Sequence, residues 1–310
     1  MYNRRAFIYK AGLATGSLLL PSIATWAGGS VQRLTILHTN DTHSRLEPFP
    51  MDGSRNQGLG GVAARAEIIQ QIRSKEPNVL LLDAGDIFQG TPYFNVYKGE
   101  PELKAMSLMG YDACTMGNHD FDGGLENFAV QLQHAKFPVL ICNYDFSGTP
   151  MEFISHPYRI FRRGKLLVGV TGVGIELKGL VPDSLAAGTK YLDPVTQVNE
   201  VAAYLKLQKQ CDFVICLSHL GYQYRDNPSK ISDLRLAAET EWVDLIIGGH
   251  THTFLNEPVV IKNKRGGDVV ISQVGWGGIL LGRIDFEFLP GSRKKFLQAH
   301  SVVVGKKSSQ

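Results

Sequence analysis

The chain contains 310 residues, of which 44% are hydrophobic and 20% are charged, a composition typical of globular proteins and not of disordered or fibrous ones. Of its 32 basic residues, three lie in the first thirty positions, which contain no acidic residue, and the other 29 balance the 29 acidic residues. This balance argues against a basic protein that binds nucleic-acid polymers, although it leaves room for a local electropositive site.

The amino-terminal segment resembles a twin-arginine export signal. Arg4 and Arg5 supply the positive charge, and the apolar stretch from Ala11 to Leu20 is short for a membrane span. Small residues follow, so that Ala24 or Ala27 is a suitable cleavage site. An uncleaved anchor helix and a merely solvated basic end are the alternatives.

We therefore expect residues 1–27 to be a signal peptide and residues 28–310 to form one mature domain, since no linker or charge run divides the chain. No later segment approaches the roughly 18 apolar residues of a membrane helix, so no stable membrane span is expected once the signal is removed. The expected location is periplasmic or secreted.

Short apolar runs alternate with amphipathic stretches along most of the chain. In chain order the predicted elements are strand Leu34–Thr39, helix Leu59–Ile72, strand Val79–Asp83, helix Glu102–Met109, strand Asp112–Met116, helix Leu125–His134, strand Pro138–Asn143, hairpin Tyr158–Arg163 with Lys165–Val173, helix Pro194–Gln210, strand Asp212–Leu217, helix Ser232–Thr240 and strand Val243–Ile247. Such alternation predicts an α/β fold with parallel strands.

The last quarter of the chain has a different pattern. Its β segments are Val259–Ile261, Val269–Gln273, Ile279–Phe288 and Phe296–Val304, separated by turn residues. This pattern predicts antiparallel sheet.

All four cysteines lie in or next to apolar strand-like runs and are predicted to be small buried hydrophobic residues. A metal pair formed by Cys211 and Cys216 is less favoured, because no second cysteine pair accompanies it.

Polar clusters follow five of the predicted strands. They are Asn40-Asp41-Thr42-His43, Gly85-Asp86, Gly117-Asn118-His119-Asp120-Phe121-Asp122, Ser218-His219 and Gly248-Gly249-His250-Thr251-His252. Taken singly, each is as well explained by a turn or a hydrogen-bonded core residue. Because the carboxyl ends of parallel strands share one edge of a sheet, all five should converge there. Carboxylates, an amide and imidazoles in one crevice favour a dinuclear metal centre.

With these motifs the sequence resembles the calcineurin-like metallophosphoesterases, specifically the 5'-nucleotidase and UDP-sugar hydrolase branch. The likeness is carried by the five clusters with their flanking strands and by Gly282–Phe288, and it extends from about Leu34 to Val304. It implies a four-layer α-β-β-α sandwich, in which two mixed sheets are flanked by helices. Residues 28–310 would then be the catalytic domain.

The resemblance implies two divalent metal ions. It assigns Asp41, His43, Asp86 and His252 to one ion and Asp86, Asn118, His219 and His250 to the other, with Asp86 bridging them. The two carboxylates neutralise only half of the charge of such a pair, which leaves positive charge for a phosphate and an attacking hydroxide. Zn, Mn, Fe and Co suit this nitrogen-rich set better than Mg or Ca.

Two further roles follow from the same resemblance. Asn118 and His119 are expected to contact the substrate phosphate, and His119 to stabilise the transition state or protonate the leaving group. A carboxylate should orient the imidazole, and the spacing typical of this branch selects Asp122. Asp120 is expected to be an exposed loop carboxylate.

The remaining histidines have ordinary structural explanations. His38 is expected in the core or behind the site, and His134, His156 and His300 on helix ends or surface strands. Four aromatic residues follow Asp86 in the sequence, and they would either line the substrate site or pack beneath the Asp86 loop. They are Phe88, Tyr93, Phe94 and Tyr97.

The expected function is an exported 5'-nucleotidase-like phosphohydrolase, with a hydroxide held by the metals attacking in line with the leaving group. Alternatives on the same site are a cyclic phosphodiesterase, a nucleotide pyrophosphatase or a sulfate-type esterase, and a non-catalytic metal- or ligand-binding protein is less favoured. Members of this branch carry a second, carboxyl-terminal specificity domain, for which about six residues remain here. A separately encoded partner domain, local loops such as 51–58 and 223–230, or broad specificity would each compensate.

Overall fold

The computed structural model describes residues 31–186, 188–289 and 293–305. The predicted signal peptide, residues 1–27, lies outside the described residues and stays a prediction. Within these ranges, no helix has the length and apolar character needed to cross a bilayer.

The described residues form thirteen strands and six α-helices. The strands are β1 (Gln32–Thr39), β2 (Val79–Asp83), β3 (Ala113–Cys114), β4 (Tyr144–Asp145), β5 (Tyr158–Arg163), β6 (Leu166–Gly174), β7 (Lys190–Tyr191), β8 (Phe213–His219), β9 (Leu245–Gly248), β10 (Val259–Lys262), β11 (Asp268–Ser272), β12 (Leu280–Leu289) and β13 (Arg293–Val303). The helices are α1 (Val62–Arg73), α2 (Pro92–Tyr97), α3 (Glu100–Met109), α4 (Leu125–Gln131), α5 (Pro194–Ala203) and α6 (Asp233–Glu239).

Two mixed sheets form the centre of the fold. One has the strand order β13-β12-β1-β2-β3, and the other has the order β10-β11-β9-β8-β6-β5. Strands β1, β2 and β3 are parallel, as are β6, β8, β9 and β11, whereas β12 runs antiparallel to β1. A small third sheet pairs β4 with β7.

Alternate residues of the central strands face two different hydrophobic cores. Ile36 and Leu80 point into the core between the sheets, whereas Leu37 and Leu81 point toward α1, α3 and α4. On the far side, α5 and α6 pack on the six-stranded sheet around residues such as Val214. Burial on both faces explains the continuous apolar runs of the sequence and confirms the four-layer sandwich.

Two of the predicted elements are wrong. Pro138–Asn143 forms no strand; it makes only the isolated bridges Cys114–Val139 and Leu140–His156. Its backbone bonds to segments on different sides, with Cys142 donating to Gly172, so it crosses the structure instead of continuing one ladder. The tail is only partly antiparallel, because β11 runs parallel to β9 while β12 and β13 join the other sheet.

Several helix boundaries also differ from the prediction, and two of the differences have a visible local cause. The first helix begins at Val62 instead of Leu59, after two glycines with positive φ, Gly60 and Gly61. The helix predicted over Pro194–Gln210 ends its α-helical part at Ala203 and continues as a wider π-turn over Tyr204–Gln208.

All four cysteines are free and buried, as predicted. Burial raises the pKa of each thiol, to about 12 for Cys142. Because the thiolate is the reactive form, we expect a thiol reagent to label the folded protein slowly and all four groups after denaturation. Rapid labelling of a native thiol, followed by absorbance, would contradict this arrangement.

Candidate metal centre

The five polar clusters meet at one edge of the two sheets, beyond the carboxyl ends of β1, β2, β3, β8 and β9. Five of the predicted ligands adopt left-handed backbone conformations, with φ of 49° at Asp41, 50° at His43, 56° at Asp86, 70° at His250 and 51° at His252. Non-glycine residues rarely adopt such angles, and they concentrate at functional sites. The loops therefore accept local strain to direct these side chains inward.

One group of candidate ligands comprises Asp41, His43 and His252. Oδ1 of Asp41 lies 3.4 Å from Nε2 of His252 and 4.0 Å from Nε2 of His43, and the two Nε2 atoms are 3.0 Å apart. Nδ1 of His43 lies 3.3 Å from the carbonyl oxygen of Phe88, which favours a proton on that nitrogen and leaves Nε2 as a bare acceptor.

The second group comprises Asp86, His219 and His250, beside Asn118. Nδ1 of His219 donates to the carbonyl oxygen of Ala84 at 2.7 Å, and its Nε2 makes no hydrogen bond although Oδ2 of Asp86 lies 3.1 Å away. Nδ1 of His250 lies 2.8 Å from Oδ1 of Asn118. Imidazole nitrogens thus face a carboxylate and an amide oxygen, a set of ligand atoms that a cation would stabilise.

The two groups of candidate ligands lie side by side, with the carboxylates of Asp86 and Asp41 between them. Oδ2 of Asp86 is 3.1 Å from Nε2 of His219 and 3.9 Å from Nε2 of His43, so this carboxylate faces both groups. Oδ1 of Asp41 also lies 3.9 Å from Nε2 of His219. The structure therefore brings together all seven side chains that the sequence predicts as ligands, with Asp86 between the groups.

The electrostatics of the cluster are those of a site that holds positive charge. Burial disfavours protonation of His219, but Asp86 and Asp41 outweigh burial and raise its pKa to about 10. Burial likewise opposes ionisation of Asp86, yet the facing His219 and His43 hold its pKa well below the usual range. Burial lowers the pKa of His250 to about 4. A divalent cation bound here would replace the proton of His219.

His119 lies at the rim of the cluster. Its ring centroid is 5.3 Å from that of His43, and 41% of its side chain is exposed. Nδ1 contacts Oδ2 of Asp122 at 2.8 Å, and the backbone NH donates to Oδ1 of Asp86. Burial lowers the pKa of His119, but Asp86 and Asp122 together raise it above its ordinary value. The contact orients Nε2 away from Asp122; its catalytic role stays a prediction.

The expectation that Asp120 is an exposed loop carboxylate is wrong, because the side chain is fully buried. Its Oδ2 accepts hydrogen bonds from the backbone of Asp86 and Gly117, and its Oδ1 accepts from Ile87 and Phe88, at 2.8 to 3.1 Å. The tight turns leave these NH groups without ladder partners, so a buried acceptor is required. Asp120 thereby ties the Asp86 loop to the Asn118 loop.

Two further side chains, which are not among the predicted ligands, hold the loops or close the site. Asn40 donates to Asp41 Oδ2 at 2.6 Å and to the carbonyl of Gly275. The indole of Trp276 stacks on the ring of His252, with centroids 5.9 Å apart and an interplanar angle of 16°. Asn40 belongs to a recognised motif, whereas a lone tryptophan in a glycine-rich turn gives no signal in one sequence.

One glycine at this edge is required by space. A Cβ atom on Gly117 would overlap Oδ1 and the backbone nitrogen of Asp86. The close approach of the two loops therefore depends on the missing side chain.

The remaining sequence predictions have separate outcomes. His38 is buried and its Nε2 contacts Ser272, with a pKa that burial lowers to about 3. His156 and His300 are exposed. Of the four aromatic residues near the Asp86 loop, Phe88 and Phe94 are core residues that are 0% and 3% exposed. Tyr93 and Tyr97 stack on each other near the surface, and Tyr97 is 53% exposed.

Comparison with known proteins identifies the family. The sequence profile of the calcineurin-like phosphoesterases matches residues 34–254, and the chain belongs to this family. It is 34% identical to human 5'-nucleotidase over 297 residues, which cover 89% of this chain and 49% of that protein. The chain thus spans about half the length of the curated relatives it matches.

Two solved 5'-nucleotidase-type structures show a similar partial coverage. The 5'-nucleotidase precursor of Thermus thermophilus superposes with a TM-score of 0.78 at 31% identity, over 88% of this chain and 55% of that one. The NAD nucleotidase of Haemophilus influenzae superposes with a TM-score of 0.77 at 25% identity, over 89% and 57%.

Proposed function

We propose that the chain is an exported dinuclear-metal phosphohydrolase that releases phosphate from nucleotides. The observation that carries this proposal is the convergence of Asp41, Asp86 and four histidines at one sheet edge, where Nε2 of the buried His219 has no hydrogen-bond partner among the described residues. The similarity to 5'-nucleotidases supports the substrate class. Twin-arginine export rests on the amino-terminal sequence alone.

Asp41, His43 and His252 would hold one ion, and Asn118, His219 and His250 the other, with Asp86 shared. Bound there, two ions of Zn, Mn, Fe or Co would lower the pKa of a water molecule and neutralise charge on the phosphate. The half-exposed His119 lies at the rim of the cluster, beside His43, and its Nε2 would donate a proton to the leaving oxygen. Asp122 fixes the ring by accepting from Nδ1.

The proposal extends to how the substrate is held. Because the curated relatives are about twice as long, a separately encoded domain is one source of nucleotide specificity, and local loops of this chain are another. Asn118 and His119 provide the contacts to the phosphate in either case.

The test is phosphate release by protein stripped of metal and then loaded with each candidate ion. AMP, a UDP-sugar, a cyclic nucleotide and an aryl sulfate form the panel. We expect two ions per chain, measured by elemental analysis, and the highest kcat/KM for AMP. Turnover by the stripped protein would contradict the proposal, and preference for another member of the panel would replace the 5'-nucleotidase assignment with that activity.

A further inference from the structure

A cavity of about 410 Å³ adjoins the metal centre through Trp276, which lines the cavity and stacks on the ring of His252. Its lining includes the rings of Phe254 and Trp276 and the polar side chains of Arg55 and Asn56. The volume falls within the range of small-molecule sites, and mostly apolar walls with a few polar groups are typical of them. The indole that lines this cavity stacks on the candidate ligand His252, with the two ring centroids 5.9 Å apart.

The aromatic wall is held in place by its neighbours. Phe254 is anchored on Gly275, whose absent Cβ leaves room for the ring, yet 45% of Phe254 remains exposed. Trp276 contacts His252 on one side and Phe49 edge-on, with the Phe49 and Trp276 centroids 5.4 Å apart. Phe254 therefore offers an accessible, fixed aromatic face.

The polar wall comes from a closed loop. Two backbone hydrogen bonds fix the ends of the loop: the NH of Phe49 donates to the carbonyl oxygen of Leu59, and the NH of Gly58 donates to the carbonyl oxygen of Phe49. Arg55 lies at its exposed tip and makes no hydrogen bond or ion pair within the described residues. Its guanidinium is free to donate to a ligand in the cavity.

We propose that this cavity, lined by Phe254, Trp276, Arg55 and Asn56, binds the nucleobase of the substrate. The inference rests on the proposed function, which places the phosphate at His119 and the metal ligands. A nucleoside 5'-phosphate carries its base one ribose away from phosphorus, and Trp276, which lines the cavity, stacks on the candidate ligand His252. Aromatic faces stack on bases, while Arg55 and Asn56 supply groups that bond to base edges.

The same chemistry distinguishes a base from other occupants. An aliphatic ligand would gain from the apolar walls but would leave Arg55 and Asn56 unused, and a second phosphate would use Arg55 but not Phe254. A planar heterocycle with acceptor atoms at its edge uses both walls. The chain therefore contains a base site of its own, independent of any further domain.

The test compares AMP with ribose 5-phosphate, which has the same phosphate linkage and no base. We expect Phe254→Leu to lower the ratio of their kcat/KM values about tenfold, the scale of one base–aromatic stack, and Arg55→Ala to lower it in the same direction. Turnover of ribose 5-phosphate and metal content should not change. Phe153→Leu is the matched control, since Phe153 is 86% exposed and lies elsewhere on the surface.

Adenosine binding, measured by equilibrium dialysis, gives a readout that does not depend on catalysis. We expect Phe254→Leu to weaken adenosine binding about tenfold and Phe153→Leu to leave it unchanged. An unchanged substrate ratio together with unchanged adenosine binding would overturn the base site while leaving the phosphohydrolase intact. Loss of hydrolysis of both substrates by the metal-loaded wild type would instead refute the proposed function, and adenosine binding would still decide the base site.

Discussion

Replacing His119 with alanine is expected to lower kcat for phosphate release by about 10²- to 10⁴-fold, the usual contribution of a positioned general acid. The imidazole lies at the rim of the cluster, is 41% exposed and is oriented by a carboxylate, with Nδ1 2.8 Å from Oδ2 of Asp122. The comparison to make is steady-state kinetics on AMP with fully metal-loaded wild type and variant.

Metal content separates this role from a structural one. The His119 side chain belongs to neither ligand group, and its backbone NH, which donates to Asp86, remains in the variant. We therefore expect two ions per chain in the variant, with kcat reduced far more than KM is changed. Asp122→Asn should give a smaller loss, and His300→Ala, on the exposed face of β13, should give none. Unimpaired turnover by the His119 variant would remove this residue from the mechanism.

The sequence predicts the convergence of the site residues because their positions follow from the topology of the parallel strands. Asp41, Asp86 and His219 are far apart along the chain, but each follows or ends a buried apolar run. Parallel strands bring such positions to one edge whatever the details of packing. The convergence of the clusters therefore required only the correct positions of the strands, whereas the ligand set is what the family resemblance implies. Strands β1, β2, β8 and β9 lie within one or two residues of the predicted bounds.

The features that the sequence does not predict depend on long-range contacts, which leave no periodic pattern of residues in the sequence. Pro138–Asn143 has the composition of a strand, yet its backbone groups bond to Cys114 on one side and Gly172 on the other. Segment composition measures burial, and burial does not specify which ladder a segment joins. In the same way, the stacking of Trp276 on His252 joins two loops through side-chain geometry, which no local pattern encodes.

Asp120 shows the same limit at the site itself. A polar residue in a loop motif is ordinarily exposed, and only the three-dimensional fold shows four backbone NH groups directed at it. A buried acceptor is needed because the strained turn at Gly85 and Asp86, with φ of 88° and 56°, removes those NH groups from regular pairing. The ligand geometry and the buried carboxylate are therefore two parts of one arrangement.

Substituting Asp120 with asparagine is expected to destabilise the metal-free protein by about 3 kcal/mol. One amide oxygen can still accept two of the four NH groups, but the amide NH₂ must face the other two, which leaves buried donors unpaired at about 1–3 kcal/mol each. Burial and the neighbouring Asp86 raise the pKa of Asp120 to about 7, although the NH groups of Gly117 and Phe88 oppose that rise. The loss of stability should therefore be somewhat smaller than for a fully ionised carboxylate.

Urea denaturation of the metal-free proteins measures this effect, and the exposed Asp183→Asn variant is the control for loss of a carboxylate. Because Asp120 ties the loop that carries Asp86 to the loop that carries Asn118, its loss should also weaken metal binding at both groups, measured by calorimetric titration with Zn²⁺. The loss of the negative charge of Asp120 would not by itself move the loop that carries Asp86 away from the loop that carries Asn118. An Asp120→Asn protein with the wild-type urea midpoint and wild-type Zn²⁺ affinity would show that the four hydrogen bonds do not hold these loops together.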